Sequence, residues 1–360
     1  MLHRIFNPKK LCVNFISVLV FLFLYLFGCK DPEIILNENQ RVFSEFPVED
    51  SINFKEVFDY KEGVPRKMFL LDSNLIICNY SAKYFIYCYS LNNKLSEGYL
   101  KKGRGPNEAI GAFDCGIING SLWVHDISMK KILTTNIAEI LANKSSVLFK
   151  KYPVNDFYQQ INFTDSIHFL AVGIPTTSSK ISEVDLISGE RINEFGNFSY
   201  IPPEITLEGC KDAYYSFLFS RPSGGRFVLP YFNTDVIEIY NIKDKTCIAV
   251  QGPEKIKADF TFRRNRRGIY FADITKNTRK AFIGGSVTDK YIYLLYSGKL
   301  EKNSHGESSA NSIYIYDWDG NPIKKLVLNK SASVISVSKD DKLIMAYGNV
   351  SGYLLQASIN

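Results

Sequence analysis

The side chains best equipped for chemistry crowd into one short run, FRRNRRGIYF at residues 262–271. Phe262 and Tyr270 flank Arg263, Arg264, Arg266 and Arg267. A guanidinium presents paired donors to a carboxylate or phosphate. The run therefore suits an acidic glycan, a phosphate or the carboxylates of a protein partner. The alternative is a solvated loop with scattered ion pairs. A second basic stretch, LKKGRGPNEAIG at 100–111, sets Lys101, Lys102 and Arg104 around Gly103 and Gly105. It is no phosphate loop: the lysines precede the glycines, and no Ser or Thr stands where a magnesium ligand belongs. Its glycines serve turns of the backbone instead, and Pro106 stiffens the exit.

Catalytic signatures are sparse. Neither H-E-x-x-H nor G-x-S-x-G occurs. His3 lies near the N-terminus and His305 in a polar loop. His125 and His168 fall in equivalent strands but at different levels, which reads as isolated strand histidines rather than a shared metal site. Asp126 either reaches a central channel or caps its own strand end, and capping is the preferred reading. DWDGN at 317–321 lacks the spacing of a calcium loop and reads as a hairpin turn. Beyond Cys12 and Cys29 come Cys78, Cys88, Cys115, Cys210 and Cys247, an odd set without C-x-x-C. Buried free thiols are expected. No metal and no cofactor is expected.

The elements that must carry these residues repeat. One strand type recurs as SNLIICN (73–79), GSLWVHD (120–126), DSIHFLA (165–171), GGRFVLP (224–230), DKYIYLLY (289–296) and DKLIMAY (341–347). A hairpin follows most copies, with tight turns at Asn92-Asn93, Ser188-Gly189 and Asp319-Gly320. So many strands in one open sheet would leave reactive edges, which radial repetition avoids. The expected fold is all-β: a six-bladed β-propeller over residues 51–360, with four antiparallel strands per blade. A β-sandwich followed by a second domain is the alternative. The last blade holds three strands of its own, so INFKEVFDY (52–60) is expected to supply the fourth and close the ring.

The N-terminus reads differently. A basic start, the apolar run VLVFLFLYLF (18–27) and the tail LFGC have the layout of an export signal. LFGC also resembles a bacterial lipobox. Residues 1–28 are thus expected to be a lipoprotein signal peptide, Cys29 the lipidated residue, and 29–50 a tether. An uncleaved membrane helix is the alternative, but the stretch 11–28 is short for a span and contains Asn14. Cleavage lowers the formal charge from +6 to +3. With export, that argues against nucleic acid as a partner.

At GRGPNEA the chain resembles the G-x-G-P-x-E element of the TolB-like six-bladed β-propeller lipoproteins of Bacteroidetes. RKAFIGGSVTDKYIYLLYSGK (279–299) is similar to a second element of that family. Asn107 stands where Gly is common and Ala109 where an aromatic is common. The resemblance implies the propeller and a place at the cell envelope, lipid-anchored to the outer membrane on its periplasmic side or at the cell surface. It implies no reaction. DSI at 50–52 and 165–167 resembles the O-glycosylation motif of that phylum, with Ser51 and Ser166 as acceptors.

The expected function is a non-catalytic binding or scaffold module for a protein or glycan partner. The alternative is a propeller enzyme, a lactonase-like hydrolase or a lyase, using a pocket in the central channel. Such enzymes need clustered carboxylates, Asn or His, and the sequence offers no such cluster. In a propeller the joins between second and third strands, and those between blades, share one face. The longer loops, at 173–180, 297–311 and about 252–280, all fall there. Arg104 and the arginine run, with Phe262 and Tyr270, are therefore expected on that face, where binding residues concentrate.

Overall fold

The computed structural model describes residues 34–359, except 94, 143–145, 175, 265, 267–269 and 301–308. Cys29, Arg267 and the expected signal peptide lie outside the described residues. Six sheets form the ring. Blade one comprises Gly63–Leu71, Asn74–Ala82, Tyr84–Ser90 and Ser96–Lys102; blade two Ala112–Ile118, Ser121–Asp126, Lys131–Asn136 and Lys150–Pro153. Blade three comprises Gln160–Phe163, His168–Val172, Ile181–Asp185 and Arg191–Phe195; blade four Phe219–Ser220, Arg226–Pro230, Val236–Asn241 and Cys247–Gln251. Blade five comprises Phe282–Val287, Tyr291–Tyr296, Ala310–Asp317 and Pro322–Ala332; blade six Val334–Val337, Leu343–Gly348 and Tyr353–Ser358. The recurring strand of the sequence is the second strand of every blade.

These second strands are apolar on both faces because each sheet is packed on both sides. Leu122 and Val124 turn to the core shared with blade one, while Trp123 turns to the core shared with blade three. The same division repeats around the molecule. One buried apolar cluster fills each of the six blade interfaces, including that between blades six and one. The ring is therefore closed.

Closure uses the N-terminal segment. Lys55–Asp59 pairs antiparallel with Tyr353–Ser358, completing blade six. The expected stretch 52–60 is corrected at its start: Ile52 pairs with Leu328, because Glu49–Ile52 runs parallel along the last strand of blade five. Asn329 separates the two pairings. Its side chain accepts from the Phe54 N–H at 2.8 Å and donates to the Phe54 carbonyl at 3.3 Å. Upstream, Arg41–Val42 lies parallel to Cys247–Gln251 of blade four. Residues 41–59 thus form a strap along the outer edges of blades four, five and six. Much of what reads as tether is laid against the propeller. Blades four and five gain a fifth strand in this way, and blade one gains one from Glu108–Ala109.

Among the described residues, helices occur only in joins. α1 (Ile137–Leu141), capped by Asn136, lies on the face of the short turns; α2 (Leu207–Ala213), capped by Thr206, belongs to the connector from blade three to blade four.

Candidate functional site

The glycine-rich connector is filled from within. The Glu108 carboxylate folds back to accept the Gly105 N–H at 2.6 Å, and the Gly103 N–H bonds the Ala109 carbonyl at 2.8 Å. A Cβ on Gly103 would stand 2.1 Å from Glu108 Oε2. The glycines are needed because a carboxylate of the same loop occupies the place where an anion would sit. Asp126 caps this connector from below, accepting from Ile110, Gly111 and Met129. Arg104 is exposed at its tip.

The central channel holds a polar network that sequence reasoning missed. Lys67 of blade one makes an ion pair with Asp114 of blade two. Asp114 is buried and also accepts the Cys115 N–H at 2.9 Å and the Ile161 N–H at 3.0 Å. In the orientation that satisfies both ends of its amide, Gln160 of blade three donates to Asp114 at 3.1 Å. It then accepts from Tyr215 at 2.6 Å and Arg66 at 3.3 Å. Arg66 stacks on Phe113, with 4.0 Å from guanidinium carbon to ring centroid. Burial pushes the Tyr215 phenol upward. The signal lay in single charges within apolar inner strands, such as Lys67 in GVPRKMFLL and Asp114 in AFDCGII. Every group of this network has a partner, and the network ties blades one, two and three together.

His125 lies beside this network but is not its base. It is buried, its Nδ1 has no partner among the described residues, and burial lowers its pKa to about 4. His168 pairs instead with Asp165 at 2.8 Å on the opposite face, which raises it. Among the described residues no group of three His, Cys, Asp or Glu could hold a metal ion. The five cysteines Cys78, Cys88, Cys115, Cys210 and Cys247 are free thiols.

The long-loop face carries a wide opening. Two connectors build it: 196–218, with α2, and 252–281, whose strands Phe260–Arg264 and Tyr270–Ile274 form an antiparallel hairpin. The hairpin docks on the helix: Asp212 accepts the Ala272 N–H at 2.9 Å, and Phe262 lies against Gly209. Between the connectors is a cavity of about 1010 Å³. Ile34, Ile205, Tyr214, Phe260 and Phe262 give it apolar walls; Glu204, Glu254, Lys255, Lys257, Asp259 and Arg279 give it charge of both signs. Sequence reasoning found Phe262 but missed the second connector, although its capping signal, Thr206 followed by Glu208, is legible.

Among the described residues, Arg263, Arg264 and Arg266 are not in the lining of this cavity. Arg263 pairs with Asp273 across the hairpin and stacks on Phe271 at 5.3 Å. Arg264 and Arg266 are exposed, and Tyr270 is paired with Arg264 in its ladder. Arg104 and the hairpin leave the same face by topology, but from connectors three blades apart in a ring of six. They are two patches and not one site. Ser51 is exposed within the strap, and Ser166 is exposed in a turn where its hydroxyl accepts from Asn119 at 3.3 Å. The short-turn face has a smaller cavity of about 660 Å³ between blades two and three, beside α1.

A profile of the TolB-like 6-blade propeller-like family matches residues 42–340. A candidate exported protein from Bacteroides fragilis superposes with a TM-score of 0.54 at 11% identity, covering 89% of this chain and 99% of its own. A member of the duf4221 family from Bacteroides vulgatus does so with a TM-score of 0.54 at 11% identity, covering 88% and 98%. At that identity the likeness is one of fold. No protein with a curated description matches the sequence.

Proposed function

The chain belongs to the TolB-like six-blade propeller family, and on that premise we propose that it is a non-catalytic binding module of the cell envelope. The cavity between the connectors 196–218 and 252–281 receives a protein or glycan partner. The observation that carries this reading is the cavity's lining. Aromatic and aliphatic walls with a few charged groups are the usual make-up of a recognition site. The channel, where a propeller enzyme would keep its chemistry, is crossed by a network whose members already have partners. A photo-crosslinking residue at Phe262 should capture a partner in cells, while one at Asn119 on the other face should not. Equal capture from both would defeat the reading. Stoichiometric calcium or zinc in the purified chain would favour a metal-dependent enzyme instead.

The module is held at the outer membrane by a lipid on Cys29. Basic residues, an apolar run and LFGC support that assignment. Cys29→Ala should release the chain from the membrane fraction or block its processing; normal processing with full retention would exclude it. Ser51 and Ser166 are exposed and reachable for O-glycosylation, which intact mass would reveal as added hexose units.

A further inference from the structure

We propose that the propeller rests on the bilayer by its long-loop face, with Arg264, Arg266, Lys276 and Arg279 toward anionic lipid headgroups. The inference rests on the lipid anchor at Cys29, not on the cavity having a ligand. The Ile34 carbonyl accepts from the Tyr214 hydroxyl at 3.4 Å, and Ile34 lines the same cavity as Phe262. Ile35 then exchanges hydrogen bonds with Tyr200 of the connector 196–218, at 3.0 and 3.2 Å. The chain is therefore fixed to the long-loop face at its point of entry. From Cys29 to Ile34 is five residues, which span roughly 17 Å when fully extended. The entry point cannot stand farther than that from the lipid. The short-turn face is a strand length away, about 20 Å.

The surface held near the bilayer fits an anionic sheet. The connector 252–281 carries nine basic residues against three acidic ones. Of the acids near the hairpin, Asp273 is engaged by Arg263 and Asp212 by the Ala272 N–H, while Glu204 and Glu254 stay exposed at the cavity. Arg264, Arg266, Lys276 and Arg279 are exposed. Around the same entry point, Ile35, Tyr200 and Ile274 are exposed at 41%, 46% and 57%. Basic residues interleaved with isolated apolar ones are the make-up of an interfacial surface. Attraction to anionic headgroups acts over about one Debye length, so it operates only on a surface that the anchor already holds close.

The test uses the acylated chain, purified from membranes and reconstituted in vesicles of phosphatidylethanolamine and phosphatidylglycerol. A fluorescent amino acid replaces either Arg266 or Asn119, and brominated lipids quench it by proximity. Position 266 should be quenched at least threefold more than position 119. Arg264→Glu or Lys276→Glu, or phosphatidylcholine in place of phosphatidylglycerol, should shrink the difference. Equal quenching, or stronger quenching at 119, would overturn the orientation. Intact mass reads the anchor separately. A chain with no acyl mass removes the premise and overturns anchor and orientation together, whereas an acylated chain quenched equally at both positions overturns the orientation alone.

Discussion

Around the channel, the Asp114 carboxylate is met by Lys67, by two backbone N–H groups and by Gln160, and it is buried. On the long-loop face, the carboxylates of Glu204 and Glu254 and the ammonium of Lys255 line an open cavity and remain exposed. The first set has exchanged water for fixed partners; the second has kept it. A buried group with all its partners holds blades in place, and disturbing it costs stability. An exposed group beside apolar walls can still trade water for a ligand at little cost to the fold. Substitutions in the channel should therefore be read in melting curves, and substitutions on the outer face in binding.

The largest effect is expected at Asp114. Asp114→Ala leaves the Lys67 ammonium largely buried without its counter-ion and orphans the Ile161 N–H. A loss of roughly 3–5 kcal/mol follows, visible as a lowered denaturant midpoint. If the midpoint stays within error of the parent, the network does not hold the ring and the comparison fails.

His125 gives the next effect, and it depends on pH. Burial lowers its pKa from 6.5 to about 4 in the folded chain. Between those values the unfolded chain binds more protons, so stability rises with pH across the window and is lost as pH falls from 6.5 to 4. The swing is on the order of 3 kcal/mol. His125→Asn should flatten the acid limb of a stability–pH profile between pH 4 and 6.5. An unchanged limb would place the acid sensitivity elsewhere.

Much of this was legible in the sequence, and the part that was not has a common cause. The second strands were legible because packing on both faces forces unbroken apolar runs such as Leu75, Ile76 and Ile77. Closure by the N-terminal segment followed from a missing strand. Its register did not, because Ile52 and Lys55 differ only in which blade edge their backbones meet, and backbone pairing leaves no mark on side-chain type. The channel network escaped for a related reason. Lys67, Asp114 and Gln160 come from three different blades and Tyr215 from the connector before blade four, and only ring geometry brings them together. The arginine run misled in the opposite direction: its residue types signal anion binding, but Asp273, ten positions on from Arg263, claims one of them.

A smaller effect tests the glycine-rich connector against the hairpin. Glu108→Ala removes the acceptor for Gly105 and should cost about 1.5–3 kcal/mol, since the carboxylate is charged and the loop is partly buried. The emptied loop then exposes the Gly105 N–H that Glu108 had covered. If the variant is as stable as the parent, the self-filling contact is incidental, and the two connectors differ less than their geometry suggests.

The smallest stability effect, and the sharpest test of the comparison, is the pair Arg263→Glu with Arg266→Glu. Both side chains are exposed, and Arg263 meets Asp273 in solvent, where ion pairs contribute little to the fold. The melting temperature should stay within about 2 °C of the parent. Charge on this side of the molecule changes by four, which should abolish capture from a crosslinker at Phe262 if the partner is acidic. Asp273→Asn is the control. It breaks the same ion pair while making the hairpin more positive, so capture should persist or strengthen. Loss of capture in both variants would mean that the Arg263–Asp273 contact shapes the cavity wall, and that the arginines act through structure rather than through charge.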